Sequence, residues 1–324
     1  MQEIKKIIFF GHNQWAVLTL DALLKNNYDV PLVVTETDAF NKKEKKNYTN
    51  FARFGAYGDL KVFALERGLK VLQPQDANAP EFVQKLKNHS PDLIVCVSYH
   101  TIFQKPFLRA FKGKIINAHI APLPFYRGRA PLNWAIINGE RRHGLTVHIV
   151  DKGIDTGPII HQEFCDINED DRAIDLLLHM LPLFPKAVLK SIKKINEDYP
   201  GVPQNPLEGS YFPRRYPEDG LIDFGREKTM DIFNKVRALA FPYPGAYVTY
   251  KKKMIKINKC RYQVKERPSP VPGLVYKRSE RGFWVTTLDG SLEVLEIIEQ
   301  DKVIRGATLA YYLKPGTGLL LKRY

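Results

Sequence analysis

The first 120 residues alternate between short, continuous apolar runs and stretches with helical periodicity. Ile7-Ile8-Phe9-Phe10 runs into Gly11 and reads as a buried strand that ends in a turn. A helix-period stretch follows, with Trp15, Leu18, Leu20, Leu23 and Leu24 as its apolar positions, and Pro31 to Thr35 forms a second strand. Strand, helix and strand within roughly 30 residues is the βαβ unit of a parallel sheet. The rhythm continues. A helix over Asp59 to Arg67 is closed by Gly68, Lys70 to Leu72 is a short strand, and Pro80 to His89 is another helix. Asp92 to Val97 and Lys114 to His119 supply further strands. The pattern predicts an α/β fold with a doubly wound, mostly parallel sheet, in which ligands gather at the carboxyl ends of the strands.

Two segments interrupt this order. Residues 41–58 carry a lysine cluster (Lys42, Lys43, Lys45, Lys46) followed by aromatics, and read equally as a solvated insertion or a lid over a substrate. After a helical stretch from Asp171 to Glu197, the segment Pro200 to Pro217 is dense in proline and reads as a linker. Beyond a helix over Met230 to Ala240, short strands at 247–250, 254–259, 282–287 and 291–298 alternate with turns. That spacing predicts a smaller β-barrel-like, OB-like C-terminal domain, so the expected division is 1–200 and 201–324.

Composition adds charge to this outline. Of the 324 residues 44% are hydrophobic, enough for a sizeable core, and the formal net charge is +14. From Glu208 onward there are 22 Lys+Arg against 13 Asp+Glu, so most of the surplus lies in the C-terminal part. A basic balance favours anionic partners: nucleic acid, phosphate-bearing small molecules or acidic surfaces. Cys96, Cys165 and Cys260 are widely spaced and odd in number, which fits a reducing compartment and no disulfide framework. The N-terminal apolar run is too short for a signal peptide and no run reaches membrane-span length, so the expectation is a cytoplasmic protein without a membrane partner.

The densest polar segment runs from Asn117 to Asp155. Asn117 and His119, two apart on a strand, project from the same face. Asp155 lies in Asp151-Lys152-Gly153-Ile154-Asp155-Thr156-Gly157, whose glycines allow sharp bends. If that loop folds over the strand, a carboxamide, an imidazole and a carboxylate converge without a serine or cysteine nucleophile. Such a trio suits direct acyl transfer in which the attacking atom belongs to a substrate: Asn117 donating to an oxyanion, His119 moving a proton, Asp155 orienting the ring. Spacing alone leaves open a structural histidine and ordinary turn chemistry. His148 reads as packed on its strand, His143 as a solvated loop residue and His12 as turn chemistry. None pairs with other ligands at metal spacing, so no metal is expected.

Asn117-Ala118-His119, Leu123-Pro124-Phe125-Tyr126-Arg127-Gly128-Arg129-Ala130-Pro131, Gly144-Leu145-Thr146-Val147-His148 and Asp151 to Gly157 together resemble the signature of the folate-dependent formyltransferases. Arg214 to Gly220 and Phe241-Pro242-Tyr243-Pro244-Gly245-Ala246 resemble segments of that family's methionyl-tRNA and sugar branches, so the likeness covers nearly the whole chain. The resemblance implies a Rossmann-like formyltransferase domain, N10-formyltetrahydrofolate as co-substrate, and Asn117, His119 and Asp155 as the catalytic residues. One departure concerns Ala121, where the family commonly has a serine whose hydroxyl could add a hydrogen bond near the histidine.

For the folate, the expected contacts are Ser98, Tyr99 and Ile102 after one strand and Ile149 and Asp151 after another. For the acceptor, Tyr126 to Glu140 and His148 resemble the sugar branch, especially the domain that formylates UDP-4-amino-4-deoxy-arabinose. The expected acceptor is therefore a nucleoside-diphosphate-linked amino-sugar used in surface polysaccharide or lipopolysaccharide synthesis, contacted by Arg127, Asn133, Trp134, Arg214 and Arg215. Those two arginines would grip the diphosphate. Methionyl-tRNA is the alternative, favoured by the basic C-terminal part but lacking the Gly-Arg-Gly-Lys type of loop. A homodimer is compatible with the sequence.

Overall fold

The computed structural model describes residues 3–40, 50–264 and 268–319. The lysines at 42, 43, 45 and 46 lie outside the described residues. The chain divides into two compact units. One comprises Met1–Pro131, Arg142–Asp166 and Leu177–Pro213, the other Leu132–Arg141, Ile167–Leu176 and Arg214–Tyr324.

The first unit is built on a seven-stranded sheet of order β3-β2-β1-β4-β5-β7-β8. Its strands are β1 (Lys6–Gly11), β2 (Asp29–Thr35), β3 (Val71–Leu72), β4 (Leu93–Val97), β5 (Ile115–His119), β7 (Arg142–Ile149) and β8 (Ile159–Asp166). The first five pair in parallel. β7 and β8 then extend the sheet antiparallel. β4 is buried along its whole length and β1 nearly so, as expected for central strands covered on both faces. The helix Asn13–Lys25 turns Ala16, Leu20 and Leu23 inward at helical spacing and ends on Asn26. Asp59 caps the helix Leu60–Glu66 by accepting from the Val62 N–H. The doubly wound sheet read from the sequence is therefore present.

Burial along β5 follows its chemistry. Ile115, Ile116 and Ala118 are buried, whereas Asn117 and His119, on the face opposite Ile116 and Ala118, are only partly covered. In β7 the residue opposite Asn117 is His148, and opposite His119 is Thr146.

Two sequence readings need correction here. His143, read as a solvated loop residue, is fully buried in β7, where its Nε2–H donates to the Ile120 carbonyl at 2.9 Å. Burial pushes its pKa down to about 4. The proline-dense segment is also more than a slack linker. Val202 bridges Ile159, and β9 (Tyr211–Phe212) pairs in parallel with β6 (Arg127–Gly128). Its prolines forgo backbone donors, but Ser210 and Phe212 still supply carbonyls to Arg127 and Arg129.

In the second unit β10 (Ala246–Tyr250), β11 (Lys253–Gln263), β14 (Ser291–Glu299), β13 (Phe283–Thr286) and β12 (Val275–Arg278) form an antiparallel sheet in that order, with β15 (Lys302–Arg305) on β14. The helix Thr229–Leu239 packs on it with Ile232, Phe233, Val236 and Leu239 buried. No helix among the described residues is long and apolar enough to cross a membrane.

Candidate active site

The site is assembled from β5, β7 and the loop between β7 and β8. That loop folds back, and Asp155 takes a left-handed backbone conformation with φ +55°. Its carboxylate accepts from the Gly128 N–H at 3.0 Å. Asp155 Oδ2 then stands 3.6 Å from His119 Nδ1, and Oδ1 stands 3.6 Å from His148 Nε2. The convergence that spacing could only suggest is thus realised.

Each ring has its tautomer set by a backbone acceptor. His119 Nε2–H donates to the Tyr126 carbonyl at 3.1 Å, so Nδ1 is the nitrogen that faces Asp155. His148 Nδ1–H donates to the Ile149 carbonyl at 2.9 Å, which leaves its Nε2 to accept from Asn117 Nδ2 at 3.3 Å. One amide hydrogen of Asn117 is used this way and the second is geometrically independent of it.

The electrostatics follow from burial. Desolvation holds the His119 pKa below the ordinary histidine value, against the opposing pull of Asp155. The Asp155 side chain is only 13% exposed, and burial alone would raise its pKa. The neighbouring His119 and His148 rings and the Gly128 N–H more than reverse that, so its carboxyl lies far below the usual carboxylate range. The resting site is therefore a neutral imidazole beside a firmly ionised carboxylate. Among the described residues no group of three or more His, Cys, Asp or Glu side chains could hold a metal ion.

The surrounding loop is tied down by β9. Gly128 has φ +96°, and a Cβ there would collide with the Phe212 carbonyl. Tyr126 donates its N–H to the Ser210 hydroxyl at 2.9 Å and stacks on Phe212 with ring centroids 5.0 Å apart. At Ala121, where a family serine would bring a hydroxyl, Thr146 ties the turn instead: its hydroxyl donates to the Ala121 carbonyl and accepts from the Leu123 N–H.

The other residues expected at the site have mixed fates. Ser98 (φ +58°) and Ile102 (66% exposed) follow β4, and the Tyr99 ring packs edge-on against Phe10 at 5.1 Å. The Asp151 carboxylate is engaged in its own loop by the Gly153 N–H and the Thr156 hydroxyl, and the Ile149 carbonyl by His148. Arg127 pairs with Gln204 through Nε and Nη2 at 3.2 and 2.8 Å. In the second unit Asn133 is buried and donates to the Ala238 carbonyl at 2.7 Å, which makes it an anchor of the fold instead of a substrate contact. There too Arg215 lies over the Trp134 ring at 4.6 Å and donates to the Asp219 carbonyl, while Arg214 is exposed. His148, a packed strand residue by its sequence pattern, lies within hydrogen-bond reach of Asn117 and 3.6 Å from Asp155 in the structure. The missing signal was its cross-strand pairing with Asn117, which no local pattern reveals.

A carboxamide donor, a buried imidazole and an ionised carboxylate, with no serine or cysteine nucleophile among them, form an arrangement that suits direct acyl transfer on a doubly wound α/β sheet. Residues 5–188 match the family "Formyl transferase" and residues 215–311 match "Formyl transferase, C-terminal domain". The chain belongs to the formyl transferase family, whose formyl donor is N10-formyltetrahydrofolate. It is 36% identical to a methionyl-tRNA formyltransferase of Caldanaerobacter subterraneus subsp. tengcongensis, over 91% of this chain and 92% of that one. It is 33% identical to one from Clostridioides difficile, over 98% and 99%. Among solved structures, an N-formyltransferase from Helicobacter canadensis in complex with folinic acid and dTDP-3-aminofucose aligns with a TM-score of 0.63 and 26% identity, over 92% of this chain and 99% of that one.

These findings overturn the amino-sugar reading. The relatives at 33–36% identity along nearly full length carry the other name. The physical reason lies in what the supposedly discriminating residues do. Asn133 and Trp134 serve packing, Arg127 serves Gln204, and His148 serves Asn117. Residues occupied in holding the fold and the candidate site say little about the acceptor.

Proposed function

We propose that this chain formylates the α-amine of methionyl-tRNA, with N10-formyltetrahydrofolate as donor. The observation that carries this reading is the 33–36% identity to methionyl-tRNA formyltransferases over nine-tenths or more of both chains. The +14 net charge, concentrated C-terminally, supports a polyanionic partner.

The donor's fit rests on the acceptors and donors that surround the trio. The formyl carbon would lie between Asn117 and His119, and the folate ring would run along the loop after β4 (Ser98, Tyr99, Ile102) towards Ile149–Asp151. The exposed Ile102 and the backbone of these loops suit a flat, hydrogen-bonding heterocycle.

In the proposed reaction the neutral amine attacks the formyl carbon and the carbonyl π pair becomes an oxyanion. The second Asn117 amide hydrogen donates to that oxygen. His119 Nδ1, neutral at rest, takes the proton that the attacking nitrogen must lose. The imidazolium so formed is held by Asp155 at 3.6 Å and adds its charge to oxyanion stabilisation. The oxyanion then collapses, the bond to N10 breaks, and His119 returns the proton to N10. Formylmethionyl-tRNA and tetrahydrofolate leave, and the site is reset.

The test is purified protein with N10-formyltetrahydrofolate and methionyl-tRNA, reading acid-stable formylmethionine. Absence of product under conditions where the folded protein binds folate would end this reading.

A further inference from the structure

We propose that Gln204 is a positioning residue of the formyl-transfer centre: it sets Asp155 against His119 by clamping the loop that carries Asp155, and Arg127 fixes the clamp. This rests on formyl transfer at the Asn117–His119–Asp155 centre, whichever amine accepts.

Gln204 lies in the proline-dense segment, far from the trio in sequence. Its Nε2 donates to the Asp155 carbonyl at 2.9 Å and to the Gly157 carbonyl at 2.7 Å. Its Oε1 accepts from both Nε and Nη2 of Arg127. The amide orientation follows from this network: turned over, the oxygen would face two carbonyl oxygens and the NH2 would face a guanidinium. Both amide hydrogens and the acceptor are used, so the side chain has one stable setting.

What it holds needs holding. Asp155 sits at φ +55°, a left-handed conformation that a non-glycine residue keeps only where its surroundings hold it there. The Gly128 N–H grips the Asp155 carboxylate, and Arg127 is the residue before Gly128. Gln204 therefore ties both sides of one junction: the backbone of the carboxylate and the residue beside its N–H donor. The 3.6 Å separation of Asp155 and His119 depends on that junction. A displacement of about 1 Å at such a centre can cost on the order of a hundredfold in rate. Arg127 is thereby assigned to the clamp.

Three readouts separate positioning from mere stability in Gln204→Ala and Gln204→Glu. The first is steady-state kinetics with N10-formyltetrahydrofolate and the amine that the wild-type protein formylates, so that the outcome stands apart from acceptor identity. The second is the pH profile of kcat, and the third is thermal unfolding. We expect kcat to fall about thirtyfold in both variants, with KM for the folate within about threefold of wild type. In Gln204→Ala the acid limb of kcat moves to lower pH, because a displaced Asp155 no longer raises the His119 pKa. Gln204→Glu keeps the Arg127 contact, now as an ion pair, and hence its fold, yet presents oxygens to two carbonyl oxygens. Wild-type kcat in Gln204→Glu overturns the proposal. So does a Gln204→Ala protein whose only change is a lower Tm, with kcat and acid limb unmoved.

Discussion

His119 and Asp155 face each other at 3.6 Å, Nδ1 to Oδ2, while the far nitrogen of the same ring donates to the Tyr126 carbonyl. The backbone thus decides which nitrogen works. Asp155→Asn keeps the shape but removes the charge that stabilises the imidazolium. We expect kcat to drop by roughly two to four orders of magnitude. The sign of the pH effect follows from the same pair. His119 must be neutral to accept the amine proton, so kcat rises with pH through its pKa, which burial already places below the ordinary histidine value. Losing Asp155 lowers that pKa further, and the residual activity of Asp155→Asn should show its acid limb at lower pH. An unmoved limb with intact turnover would contradict the pairing.

His148 orients Asn117 from the opposite strand and also lies 3.6 Å from Asp155. Replacing it by Phe fills the volume and removes the acceptor for Asn117 Nδ2. A fall in kcat of about tenfold, with folate KM nearly unchanged, is the expected kinetic signature of a loosened oxyanion donor. Wild-type kcat would return His148 to a packing role.

His143 carries a stability prediction. Its Nδ1 has no hydrogen-bond partner in the core, so a proton added there would be buried and unmet. With a folded pKa of about 4 against an unfolded value near 6.5, the unfolded chain binds the extra proton over that window. The stability this contributes is complete above about pH 6.5 and is lost as pH falls towards 4. By pH 5 it amounts to a loss of about 2 kcal/mol. Denaturant melts of wild type and His143→Gln at pH 7 and pH 5 measure it: the variant should lose less on acidification. Equal losses would remove His143 as a cause.

Gly128→Ala tests the floor of the site. The new Cβ meets the Phe212 carbonyl at a φ of +96°, so nothing flexible can yield. We expect destabilisation of about 2 kcal/mol in equilibrium unfolding, together with lost turnover, because the N–H that holds Asp155 moves. A variant as stable and active as wild type would show that β6 and β9 are not fixed in this register.

How legible this was from sequence depends on the range of the interactions involved. Ile7 to Phe10, Leu93 to Val97 and Ile115 to His119 announce buried strands because their apolar runs are local, and the helix starting at Asp59 announces itself through its cap. The Asn117/His119 alternation is likewise a property of one strand. The settings of His148, His143 and Gln204 are not legible in the same way. Their roles arise from cross-strand register and from the return of a proline-rich segment over a loop some fifty residues earlier, and neither leaves a periodic trace. The acceptor is illegible for a related reason: in sequence, side chains that hold the fold and the candidate site look the same as specificity contacts.

The most direct test of the central claim is a competition for formyl groups. Wild-type protein is supplied with N10-formyltetrahydrofolate, methionyl-tRNA and UDP- and dTDP-linked amino-sugars together, at about 50 and 200 mM salt. We predict formylmethionyl-tRNA as the product, with a tRNA KM that rises about tenfold or more across that salt range while the folate KM barely moves. Formylated sugar with unmodified methionyl-tRNA would contradict it.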